Sequence, residues 1–407
     1  MVKQSKMPNG IKIVTDSMPY VRSVTIGLWL NCGSRQDDSQ TIGTAHFIEH
    51  MLFKGTEKRT AKQLALEVDF MGGQINAFTS AEYTCYYLKV LDTHLDEALE
   101  LLSDMFLHSL FLPEAIKREK NVILQEYDMY EDSPEDLIQD KFYSYIWPSH
   151  PLGRNIIGSR KTIRSINKEK LVNFKNNHYT PDNLVIAVAG NVEHEKVTDA
   201  VNKYFSGFAG KAVPPDKTKP RFHNGYKFVK KDTEQVQILW GIESIDYTDK
   251  DWYTASILNN ILGSSASSRL FQKVREENGL AYFIYSVLNS YSDVGIFTIN
   301  AAVKPENSKK VLAMIEKELQ DIVENGINEK ELLKAKEQMN SSILMNLESS
   351  NGRMNRIGRL VVMDRPLIPI EDIIKKINKQ SLDNINRVAA RLFENNRPAL
   401  LELGPKK

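Results

Sequence analysis

Two of the chain's eight histidines, His46 and His50, stand four residues apart with Glu49 between them. On a helix, positions i and i+4 share one face, so both imidazoles can reach a single ion. Glu49, three residues after His46, projects near that face. A hydrolytic zinc site needs about three protein ligands and one open position. Neutral imidazole suits zinc, and a carboxylate beside the ligands can take a proton from water and later return it to a leaving amine. His-x-x-Glu-His supplies two ligands and that carboxylate. The bland alternative is two histidines on a wet helix face, and a third ligand from another element decides between the two readings.

The elements that must hold this stripe are legible nearby. The segment 44–56 reads as a helix whose Phe47, Ile48, Met51 and Leu52 pack against the protein and which Gly55 ends. Residues 10–15 and 24–30 alternate as strands, and 33–39 is a polar loop leading into the His helix. A second helix over 60–71 carries Leu64, Val68 and Met71 on one face. Strands over 74–79 and 83–90 follow, then an amphipathic helix over about 95–107. Pro113 opens a helix running to about Tyr130, with Ile116, Val122, Ile123 and Tyr127 toward the core. Glu119 and Glu126, two turns apart, share one of its faces. The apolar run 184–190 reads as a strand buried on both sides.

Composition excludes several function classes. The 407 residues exceed one ordinary core, and 42% hydrophobic with 26% charged residues describes a globular protein. A net charge of +1 gives no electrostatic case for nucleic acid or an anionic membrane. No stretch reaches the roughly 20 apolar residues of a membrane helix. Residues 1–10 show neither a signal nor a transit pattern, which predicts a cytoplasmic chain. Cys32 and Cys85 form no disulfide framework and read as buried thiols.

His-x-x-Glu-His followed by a glutamate in the context of Glu126 resembles the pitrilysin and insulinase metallopeptidases, the inverzincins. It is most similar to their mitochondrial-processing-peptidase-like bacterial branch. Gly72–Gly73, 76–80, 82–84, 130–132, 267–271 and 279–282 carry the resemblance along almost the whole chain. It implies that His46, His50 and Glu126 hold one zinc per chain, with Glu49 as general base and Glu119 supporting the site. Read from the chain alone, Glu119 is better taken as a solvated helix glutamate. The resemblance also implies that Asn76, Ala77 and Phe78, on a strand open at its edge, hold extended peptide through backbone hydrogen bonds. Glu82 matches more weakly; it is equally a cross-strand partner of Lys89 or a surface charge.

Residues 209–220, rich in proline and charge, form the expected linker between a catalytic domain, 1–208, and a second domain, 221–407. The second half repeats the pattern of the first, and Ser256, Asn259 and Asn260 stand where the first copy has His46, Glu49 and His50. The expected fold is α+β: two homologous domains, each a largely antiparallel sheet packed with helices, only the first holding metal. By resemblance, Arg275 and Tyr282 approach a zinc site from an opposing half. With one double domain per chain, a second subunit must then supply that half. A homodimer is the simplest partner, an inactive paralogue the alternative. The expected activity is a metalloendopeptidase acting on extended or unfolded peptides inside a dimeric chamber. The rival is a non-catalytic core-type structural subunit of the same fold.

Overall fold

The computed structural model describes residues 2–214, 218–394 and 396–405; Pro215, Asp216 and Lys217 of the expected linker lie outside them. Two compact units form. Unit 1 comprises Met1–Asp128, Arg154–Lys217 and Met345–Leu367, and unit 2 comprises Met129–Gly153, Thr218–Leu344 and Ile368–Lys407.

The sheet of unit 1 contains β1 (Val2–Lys6), β2 (Lys12–Ser17), β3 (Ser23–Leu30), β4 (Gln74–Thr79), β5 (Thr84–Leu91) and β6 (Leu184–Gly190), in the order β1-β2-β6-β3-β5-β4. Only the β2–β6 pair is parallel. The sheet of unit 2 contains β7 (Gly225–Lys230), β8 (Val236–Ser244), β9 (Ala281–Ser290), β10 (Gly295–Val303) and β11 (Ala399–Gly404), in the order β7-β11-β8-β10-β9. Its β7–β11 pair is the parallel one. Without β1 the two orders are the same, strand for strand. The repeat expected from sequence is therefore a repeat of topology, and both sheets are largely antiparallel.

Every residue of β6 is buried, because both faces of the first sheet are covered. On one face lie α1 (Thr44–Met51), α2 (Ala61–Phe70), α3 (Leu95–His108) and α4 (Pro113–Asp132), packed through a core that includes Phe47, Ile48, Leu64, Leu99, Phe106 and Ile116. On the other face Val14, Trp29, Cys85, Val185 and Ala187 meet Met354, Ile357 and Val361 of the helix Ser350–Val362. The Trp29 indole Nε1 donates to the Met354 sulfur at 3.1 Å. Gly358 lets the two surfaces close, since a Cβ there would lie 2.1 Å from Trp29 Nε1. In unit 2, α5 (Pro134–Ile146) does the same for β8 and β11, and a Cβ at Gly241 would lie 2.8 Å from Phe142.

Each unit thus takes one covering helix from the other half of the sequence. The units are not the contiguous stretches 1–208 and 221–407. The reason is burial: strands apolar on both faces need a second cover, which here comes from a distant segment. Among the described residues no helix is long and apolar enough to cross a membrane. Two local readings also change. α1 ends at Met51 rather than near Gly55, and tightens into a turn in which Phe53 N–H bonds the His50 carbonyl. Val122 on α4 is exposed, whereas Ile116 and Ile123 are buried.

Candidate metal centre

The apolar residues of α1 fix its rotation. Phe47, Ile48 and Met51 are buried in the core of unit 1, so His46, Glu49 and His50 face the opposite way, toward α4 and β4. Asp37, in the preceding loop, secures the start of the helix. Its carboxylate accepts the Gly43 N–H at 2.7 Å and the Ala45 N–H at 2.9 Å. Gly43 itself has φ +97°, a left-handed entry open to glycine. Burial pushes the Asp37 carboxyl up to about 7, against the pull of those N–H donors.

One turn of α4 brings the third group. The Glu126 carboxylate lies 3.7 Å from His46 Nε2 and 3.5 Å from His50 Nε2. One donor atom from each of the three residues falls within 4.8 Å of the others. A tetrahedral zinc with its usual bond lengths separates neighbouring ligand atoms by about 3.4 Å; the imidazole–carboxylate spacings are near that value, and the widest pair of the set would close by up to about 1.4 Å around one ion. Both imidazoles converge, their ring centres 4.6 Å apart and nearly edge to face. Burial, and next the proximity of His50, lower the His46 pKa to about 3, so its ring is neutral, as a ligand must be.

Glu119 orients His50. Its Oε1 lies 2.9 Å from His50 Nδ1, and its Oε2 accepts from Lys54 Nζ at 2.8 Å. Burial raises the Glu119 carboxyl, but the bonds from His50 and Lys54 outweigh it and hold the group below its ordinary value. An ionised Glu119 can only accept, so Nδ1 carries the hydrogen and Nε2 turns its lone pair toward Glu126. Glu49 is placed by β4: its Oε2 accepts the Thr79 hydroxyl at 2.5 Å. Burial raises its carboxyl, with the Thr79 bond opposing. Raised basicity beside an ion site is what a proton acceptor requires.

Comparison with known proteins gives the family of the chain. Residues 12–160 match the family model described as Insulinase (Peptidase family M16), and residues 165–339 match the model described as Peptidase M16 inactive domain. A Bacillus subtilis protein described as an uncharacterized zinc protease, YmxG, is 41% identical over 393 residues, covering 97% of this chain and 96% of its own. The chain belongs to the insulinase family, peptidase family M16. A Rickettsia felis protein described as an uncharacterized zinc protease is 39% identical and covers 96% of this M16 chain and 94% of its own. The fold is also that of two solved structures. One is a peptidase M16 inactive domain from Pseudomonas fluorescens (TM-score 0.94, 21% identity, 100% of this chain and 98% of that one). The other is a protease from Helicobacter pylori (TM-score 0.93, 22% identity, 100% and 99%). The whole His46–His50–Glu126 cluster lies inside the first family match.

The remaining expected residues of this M16 chain take varied positions. β4 is an edge strand, with its far side open to a further strand. Strand alternation points Thr79 at Glu49 and Phe78 to the opposite face, where its ring stands 5.6 Å from that of Trp29. The Phe78 side chain therefore stands on the face away from Glu49. The Asn76 side chain accepts the Ala77 N–H at 2.8 Å, beside the same edge. Glu82 pairs with Arg35 at 2.9 Å, and Lys89 stands opposite Gln74 and Thr25 instead. Arg275 and Tyr282 lie in unit 2. Arg275 sits on a π-helical turn, its guanidinium 4.7 Å from the centre of the Phe271 ring. Tyr282 is 73% exposed at the start of edge strand β9. Sequence reading missed the positioning roles of Asp37, Lys54 and Thr79. Lys54 and Thr79 lay inside segments already singled out, but only the folded distances show what they touch.

Proposed function

We propose that this chain is a zinc-dependent metalloendopeptidase that cleaves extended peptides. The observation that carries the reading is the convergence of His46, His50 and Glu126 with Glu49 beside them, His50 held by Glu119 and Glu49 by Thr79. Bound zinc supplies Lewis acidity that makes water a usable nucleophile near neutral pH. Glu49 takes the proton from that water and returns it to the departing amide nitrogen. Thr79 holds Glu49 in place for both transfers, and Glu119 keeps His50 in the ligand tautomer. A substrate strand adding to the open edge of β4 meets backbone donors and acceptors, which favours extended chains over particular sequences.

The same reading includes a homodimer in which Arg275 and Tyr282 serve the partner's site. The guanidinium would hold a substrate carbonyl, and the phenol would donate to the developing oxyanion. Their exposure in unit 2 supports this: Tyr282 stands open to solvent, and Arg275, although it lies over Phe271 and beside Glu276, is also exposed. The direct test is zinc content of the purified chain measured together with cleavage of a short unstructured peptide. About one zinc per chain with chelator-sensitive cleavage supports the proposal. A metal-loaded chain inert toward a panel of such peptides sinks it in favour of a structural role.

A further inference from the structure

A second hollow in unit 1 has no part in this chemistry. A cavity of about 850 Å³ opens beside the C-terminal end of α3 and the helix Lys168–His178. Phe111, Val172, Leu110 and Phe208 give it apolar walls. Lys175 enters from the helix. Its ammonium donates to the Leu107 carbonyl at 3.2 Å and lies 5.5 Å from the centre of the Phe111 ring. Phe111 holds φ at +48°, a left-handed conformation costly for a bulky residue, and sets its ring beside the cation. The one acidic residue lining the cavity among the described residues, Glu57, is exposed and forms no ion pair with Lys175.

An ammonium has three donors and here one carbonyl acceptor. A largely buried cation with no counter-charge is costly, and its burial lowers the Lys175 pKa to about 8. At neutral pH it still carries its proton. Capping the carbonyl end of α3 accounts for the bond to Leu107. It does not account for a hollow of ligand size next to the same nitrogen.

We propose that this cavity binds a small organic carboxylate with an apolar body, its charge on Lys175 Nζ and its body against Phe111, Val172 and Phe208. Among the described residues, Lys175 is the one cation of the lining that is not fully exposed, Lys168 and His108 standing exposed beside it, and one half-buried ammonium among apolar walls suits a monoanion of this kind. A bare phosphate would leave the apolar wall of Phe111, Val172 and Phe208 unused. The test is calorimetric titration of the full chain with decanoate and with 4-phenylbutyrate, beside 4-phenylbutyramide and inorganic phosphate. At least one carboxylate should bind saturably at one site per chain, and the amide and phosphate at least about tenfold more weakly. Lys175→Met should lose about tenfold or more in affinity, and Val172→Trp, which fills the hollow, should abolish binding. In the native chain the bound carboxylate should also protect Lys175 from an amine-acylating reagent read by mass spectrometry, a measurement that needs no variant to fold. No saturable binding by either acid, equal binding of the amide, or binding that leaves Lys175 as reactive as before would each overturn the proposal.

Discussion

Replacing Glu119 with glutamine should weaken zinc binding without disturbing the fold. The structure shows why so small a change matters. Glu119 accepts from His50 Nδ1 at 2.9 Å through one oxygen and from Lys54 Nζ at 2.8 Å through the other. A glutamine offers one acceptor and one donor group. If its oxygen faces His50, its amide hydrogens meet the Lys54 ammonium. If its oxygen faces Lys54, its amide hydrogens meet Nδ1 and drive the ring hydrogen onto Nε2, the atom turned toward Glu126. Either orientation forfeits one charge-assisted bond. Loss of such a supporting contact costs about 10–100-fold in metal affinity, or roughly 1.4–2.8 kcal/mol. Competition against a chromophoric chelator measures it directly. Adding Lys54→Met removes the donor clash, so the double variant should bind zinc more tightly than Glu119→Gln alone. Unchanged affinity in Glu119→Gln, or no recovery in the double variant, would refute the orienting role.

Thr79→Val removes the hydroxyl that lowers the Glu49 carboxyl against its burial. Glu49 acts as base only when ionised, so the acidic limb of kcat/KM should move to higher pH, and a limb that stays or moves down rejects the contact as functional. Gly358→Ala puts a methyl group against the buried Trp29 indole and should cost about 1–3 kcal/mol in urea unfolding, whereas a neutral result would mean the helix Ser350–Val362 docks less tightly than described. Chains inactivated separately by Glu49→Gln and Tyr282→Phe should regain activity when mixed and allowed to exchange; no recovery after verified exchange argues against shared sites.

What could be read in advance followed from periodicity. The His46–His50 face and the Glu119–Glu126 face are helical arithmetic, and the apolar residues of α1 determine which way that face turns. The strand orders repeat because the sequence pattern repeats. Three things escaped. Val122 fits an apolar helix stripe, yet it is exposed on the side of α4 between Glu119 and Glu126, where the helix faces the site rather than the core. The cover of the first sheet by Met354 and Ile357 depends on contacts between residues hundreds of positions apart, which no local pattern encodes. Asp37 belongs to a polar loop, and its two bonds to the start of α1 exist only once that loop folds back over Gly43. Phe78 is different in kind, since strand parity relative to Thr79 already assigns it to the far face.

The central claim is that Glu49 acts on a proton beside an ion held by His46, His50 and Glu126. The most direct measurement is zinc content and peptide cleavage of Glu49→Gln beside the native chain. The account predicts equal zinc in both and cleavage lost in the variant; undiminished turnover by Glu49→Gln at full zinc occupancy would contradict it.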